Sequence, residues 1–246
     1  MDYDRYYKEA EEILKHHRTG DNSPEWQEKT RKAFLAATTF SPKDLLQIGR
    51  WYSEKNQSLT QGETAILLML FAGMRLQKAV NLKFGDFSDR KTTEEAVPML
   101  NGIPFPDFMF SYFAIKGREE GKDKYVIGEG DVSADTEAVS NEVWELLNRI
   151  GICRDELFTA LAVKLLTEQE ESGEDAIKED DLVEYLFRRT FATYCAACGL
   201  GSKEVLYMLG EEVEGEVAID RKALTRAYEL MSAGCRFENF LPGYDE

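Results

Sequence analysis

The sequence predicts a mainly α-helical protein carrying one small antiparallel β-sheet. Three observations predict it. Apolar residues recur at helical spacing through both ends of the chain, helix-start signals precede several of those runs, and the stretch 98–130 changes to prolines, glycines and strand formers. At 246 residues the chain can form one large domain, or one domain with a small appendage. Its 43% hydrophobic and 31% charged residues are the balance of a globular protein with its own core. No apolar run approaches the ~20 residues that span a bilayer. The polar, acidic start at Met1-Asp2-Tyr3-Asp4-Arg5 is unlike a secretory signal, so a cytoplasmic protein without a membrane partner is expected.

Residues 1–40 are expected to form a short helical arm. Tyr6, Tyr7, Ala10, Ile13 and Leu14 lie near helical spacing within 4–17, and 24–37 reads as a second helix after the loop Thr19-Gly-Asp-Asn-Ser-Pro24. Residues 41–246 are expected to form the main domain. Ser41-Pro42-Lys43-Asp44 supplies an N-cap and a proline at the first helical position, predicting a helix to about residue 55. Thr60 and Glu63 form a capping box before Thr64-Ala-Ile-Leu-Leu-Met-Leu-Phe-Ala72, which is apolar all round and therefore reads as a central buried helix ended by Gly73. A short helix is predicted over 76–82.

Strands are predicted over 108–115 and 124–127, where aromatic and β-branched residues concentrate, with a hairpin turn at Gly117-Arg-Glu-Glu-Gly121. Further helices are predicted over 140–150, 154–168, 180–198, 203–209 and 221–233. The acidic stretch 168–181 reads as a solvated loop. Four cysteines are too few for a disulfide scaffold. Cys195 and Cys198 form a C-x-x-C in a helical segment, with neither a second ligand pair for zinc nor a preceding strand for redox chemistry, so core thiols are expected and no metal or other cofactor.

Two arginine-centred segments carry the functional signal. Ala72-Gly-Met-Arg-Leu-Gln-Lys-Ala-Val-Asn-Leu-Lys-Phe-Gly-Asp-Phe87 places an arginine two residues after a helix-ending glycine and finishes on Asp-Phe. Tyr185-Leu-Phe-Arg-Arg-Thr-Phe-Ala-Thr-Tyr194 leads through Gly199 to Val205 and Leu209-Gly210. In order and content these resemble the two signature boxes of the tyrosine recombinase (phage integrase) family, and the resemblance covers about residues 41–232.

The resemblance implies the catalytic-domain fold of that DNA breaking–rejoining family. Arg75 and Arg188 take the places of its two catalytic arginines. Tyr185 stands where the first signature histidine normally lies, and Glu211 stands where histidine or tryptophan normally follows Leu-Gly. Lys78 replaces a usual glutamate. The family carries its lysine on a β-hairpin, which points to Lys116 at the end of the predicted strand, with Lys122 and Lys124 across the turn. Leu224-Thr-Arg-Ala-Tyr228 is similar to the segment bearing the nucleophile, although Tyr228 follows Glu211 by 17 residues, longer than is common. Tyr244 is a second tyrosine near the C-terminus.

The implied reaction needs neither metal nor nucleotide. A tyrosine oxygen attacks a DNA phosphodiester, giving a 3′-phosphotyrosine and a 5′-hydroxyl; the arginines hold the non-bridging oxygens and a lysine protonates the departing oxygen. Double-stranded DNA is then the expected partner, with a monomer free in solution and a tetramer on DNA. Full-size members carry a further DNA-clamping domain, and the 40-residue arm is too short for one. A net charge of −16, from 46 acidic and 30 basic residues, opposes a DNA partner unless cations cluster on one face. Glu211 beside a phosphate would repel it.

Simpler roles stand beside these. Arg75 alone would read as a surface ion-pair partner, Arg188 as a partner of Glu184 one helical turn away, Tyr228 as a core aromatic and Lys116 as a solvated lysine. Three functions therefore follow: a recombinase or integrase, a catalytically inactive integrase-fold module that binds DNA or protein, and an unrelated helical interaction protein.

Overall fold

The computed structural model describes residues 3–20, 23–54, 58–89, 91–92, 97–172 and 182–241. In chain order these form α1 (Tyr3–Thr19), α2 (Pro24–Leu35), α3 (Pro42–Ser53), α4 (Gln61–Ala72), α5 (Leu76–Val80), a 3-10 turn (Phe84–Phe87), β1 (Lys91–Thr92), β2 (Pro98–Leu100), β3 (Ile103–Pro104), α6 (Asp107–Glu120), β4 (Gly128–Glu129), β5 (Val132–Ser133), α7 (Thr136–Arg149), α8 (Asp155–Ser172), α9 (Leu182–Ala197), α10 (Ser202–Met208) and α11 (Arg221–Met231), with a 3-10 turn at Phe237–Phe240. The architecture is mainly α with two small antiparallel sheets. Among the described residues no helix is long and apolar enough to cross a membrane.

Helix α4 is the axis of the fold. Every residue from Gly62 to Ala72 is buried, as a sequence without a polar face requires. Its capping box forms as predicted, with Thr60 N–H donating to Glu63 Oε2 at 2.8 Å; Glu63 is itself held by Trp51 Nε1 at 2.8 Å. Helices α7 and α9 pack on its flanks. The N-terminal helices α1 and α2 lie on α8, and α1 turns Tyr6, Ala10, Ile13 and Leu14 into the common core.

At Ser41 the cap is reciprocal: Asp44 N–H donates to Ser41 Oγ at 3.2 Å, and Ser41 N–H donates to Asp44 Oδ2 at 2.9 Å. The buried Asp44 carboxylate also accepts a two-pronged guanidinium fork from Arg154, at 3.0 and 3.1 Å, joining α3 to the start of α8. Burial alone would push the Asp44 pKa up, but the Arg154 fork and the Ser41 donors outweigh it and hold the carboxyl below the usual range.

The sheet prediction is corrected. Residues 108–115 belong to α6 and are not a strand. Met109, Phe110, Tyr112, Phe113 and Gly117 are its buried positions, a 3.6-residue period that overrides the strand preference of the aromatics. Pro106 at the N-cap and Asp107 in the first turn start the helix. Lys116 consequently lies on α6, away from any hairpin. Of 124–127, expected as a strand, only Tyr125 pairs, in an isolated antiparallel bridge with Lys83, beside which Val126 N–H donates to Leu82 O at 2.9 Å and Phe84 N–H to Lys124 O at 3.0 Å. The three-stranded sheet comes earlier, in the order β1-β2-β3, with Lys91 opposite Met99 and Leu100 opposite Ile103 across a tight turn at Asn101-Gly102. Glu168 to Ser172 continue α8 where a loop was expected; the rest of the acidic stretch, and Tyr244, lie outside the described residues.

Two outcomes test these contacts. Asp44→Asn should cost about 2 kcal/mol at pH 7, less than the ~3–5 kcal/mol of a fully buried pair because Arg154 is half exposed. The depressed folded-state pKa gives stabilisation that is complete above the unfolded value of ~3.9 and lost as pH falls through the folded value. Urea melts should therefore show the native-to-variant gap closing below pH ~4. Gly73→Ala should lose at least ~2 kcal/mol in the same assay, since Gly73 has φ +59° and an added Cβ would lie 2.6 Å from Phe191 Cδ1 and 2.8 Å from Leu209 Cδ2.

Candidate functional site

The buried helix α4 ends at Gly73, whose left-handed conformation turns the chain sharply and presents Arg75 as the N-cap of α5. Facing it, α9 carries Glu184 and Arg188 one turn apart. The largely buried Glu184 carboxylate accepts from Leu76 N–H at 2.7 Å, satisfying the first amide of α5. Arg188 donates through Nη1 to Gly73 O at 2.8 Å and Leu209 O at 3.4 Å. The two helices are thereby stitched together at the point where both arginines emerge.

Their guanidinium groups converge on one atom. Arg188 Nη2 donates to Glu211 Oε1 at 2.6 Å, and Arg75 Nη2 donates to the same oxygen at 3.2 Å. Glu211 follows α10 through Leu209 and Gly210, where Gly210 adopts φ +75°. The Arg188 side chain is 13% exposed, whereas Arg75 and Glu211 are 42% and 38% exposed. One carboxylate is thus shared by two cations at the mouth of the site. The orientation resolves how Glu211 stands: it faces the arginines.

The other predicted site residues lie elsewhere. Tyr185 hydrogen-bonds Glu168 on α8 and accepts from Arg189 Nη1 at 3.2 Å, while Arg189 also reaches Glu168 at 2.9 Å and Thr38 at 3.2 Å. Burial, reinforced by the Glu168 carboxylate, raises the Tyr185 phenol above its ordinary pKa. Lys116 is held by Glu119 at 3.2 Å on the same helix. Tyr228 on α11 is a core residue, ringed by Phe71 and Phe108 at centroid distances of 6.4 and 6.3 Å. Its hydroxyl is buried with no hydrogen-bond partner among the described residues, and burial raises its pKa well above 10. Among the described residues the contacts gather Arg75, Arg188 and Glu211, and leave Tyr185, Lys116 and Tyr228 outside that cluster.

Two contributors escaped the sequence reading. Glu184 was weighed as a partner of Arg188, yet its carboxylate caps α5. The carbonyls of Gly73 and Leu209 anchor Arg188 through backbone atoms, which leave no mark in residue identity. Lys91 lies exposed on β1 of the three-stranded sheet. The Asn101-Gly102 pair, a strong hairpin signal, would have located that sheet.

Cys195 is fully buried on α9, where burial and the neighbouring Cys198 push its thiol up to about 12. Among the described residues no group of three His, Cys, Asp or Glu side chains is arranged to hold a metal ion. Comparison of the chain with family models, with curated proteins and with solved structures gives no match.

A buried hydroxyl without a partner costs ~1–3 kcal/mol. Tyr228→Phe should therefore raise stability by about 1 kcal/mol in urea unfolding, the opposite sign to most core substitutions.

Proposed function

We propose that this chain is a recombinase-like DNA-binding protein that grips one phosphodiester between Arg75 and Arg188, and that in the state described its own Glu211 fills the grip. The observation that carries this reading is the donation of both guanidinium groups to a single oxygen, Glu211 Oε1. Forked cationic donors aimed at one point suit a non-bridging phosphate oxygen and the charge that develops on it. A carboxylate on the same chain competes with phosphate at an effective concentration of ~mM or more. DNA engagement therefore needs Glu211 to swing into solvent, which its partial exposure allows.

Strand cleavage asks for a second change. Tyr228 would attack phosphorus to form a 3′-phosphotyrosine, and Lys116 would protonate the departing 5′ oxygen. Tyr228 must first leave the aromatic core, where burial holds its proton firmly. That burial, together with the net charge of −16, favours a second reading: a catalytically inactive module of the same kind that binds DNA or protein.

Nicked suicide DNA substrates separate the readings. Glu211→Gln should bind duplex DNA at least tenfold more tightly than the native chain at equal salt, with a stronger salt dependence. A covalent adduct formed by Glu211→Gln and abolished by adding Tyr228→Phe supports strand transfer. Tighter binding without an adduct supports the inactive module. Absence of salt-sensitive DNA binding by either protein overturns the DNA-binding proposal.

A further inference from the structure

Beside the arginine cluster, α5, the β2–β3 turn and α10 enclose a cleft of about 390 Å³. Its floor is apolar, made by Leu82, Leu100, Phe105 and Met208, and its rim carries Arg75 and Lys78 from successive turns of α5. Lys78 is exposed and forms no ion pair among the described residues. Room for its ammonium comes from Gly210, where an added Cβ would lie 3.2 Å from Lys78 Nζ. The single carboxylate in the lining, Asp86, already accepts from Lys83 N–H at 2.9 Å.

We propose that this cleft binds a small amphipathic anion, with an apolar body of a few rings or a short chain and one carboxylate, sulfonate or phosphate head. The volume falls in the range of small-molecule sites, and the combination of an apolar floor with few convergent polar groups is their usual make-up. Charge selects the sign of the ligand. In a chain of net charge −16, the charged lining is Arg75, Lys78 and Asp86; with Arg188 and Glu211 at its edge, three cations face two carboxylates among the described residues, so the cleft is a local positive spot in an acidic field. A phosphate alone would leave the floor uncovered, and a neutral apolar molecule would leave Lys78 unpaired. The head group sits between Lys78 and Arg75, the arginine with the longer bond to Glu211, at 3.2 Å. The inference rests on the cleft alone and does not require the recombinase-like reading.

The probe is 4-phenylbutyrate, with the neutral 4-phenylbutanol as control, followed in the full chain by the NMR signals of 13C-methyl methionine. Met74 and Met208 line the cleft, while Met69, Met109 and Met231 lie in the core away from it. Saturable shifts at Met74 and Met208 are expected with the butyrate, and at least tenfold weaker binding with the alcohol. Lys78→Gln, a change at an exposed position, should weaken the butyrate about tenfold and leave the alcohol unaltered. Shifts confined to other methionines, equal affinity for the two probes, or indifference to Lys78→Gln would each overturn the proposal. Failure here would leave the DNA response of Glu211→Gln untouched, because that response does not use Lys78.

Discussion

Because α4 has no solvent-facing side, its exit from the core has to be abrupt, and the left-handed turn at Gly73 provides it. That turn sets the geometry of the site twice over. It delivers Arg75 to the start of α5, and it aims the Gly73 carbonyl at Arg188. A residue with a Cβ would meet Phe191 and Leu209, the side chains that seal the same corner. The position of both guanidinium groups therefore follows from how a buried helix ends, before any interaction between the arginines and an anion is considered.

Two cations brought to one point need a counter-charge. In a partly buried setting their repulsion is screened less than in water, and a shared carboxylate offsets it by placing an opposite charge between them. Arg188 is additionally fixed by two carbonyls, so it is the rigid member; Arg75, more exposed, is the adjustable one. The acidic balance of the chain is expressed locally as well as globally: the paired arginines carry their own acid.

Most of the helical frame was legible in the sequence because capping chemistry and periodicity are local. The box at Thr60 and Glu63, the cap at Ser41 and the stop at Gly73 all form as the residues indicate. The exception is instructive. In 108–115, aromatic and β-branched composition pointed to a strand while the spacing of the buried positions is helical; packing followed the spacing. At the site, the convergence of the two arginines was foreseeable from their segments, but the partner choices of Glu184, Tyr185 and Glu211 depend on which face each presents to a distant element. Such contacts, between residues more than a hundred positions apart in the case of Glu184 with Leu76 and Glu211 with Arg75, have no local signature.

Helix α9 carries this dependence on phase in its simplest form. Glu184 and Arg188 look toward α5, while Tyr185 and Arg189, each one position later, look toward α8. One residue is ~100° of rotation on a helix. The adjacent pairs Glu184-Tyr185 and Arg188-Arg189 therefore act like the marks of a vernier, in which a slip by a single residue would carry Arg189 into the place of Arg188 and Arg188 into the buried place of Phe187. Arg189 would then face Gly73, Leu209 and Glu211, with composition unchanged. An arginine doublet in this segment thus specifies a site through its rotational setting, and its chemistry is inseparable from that setting.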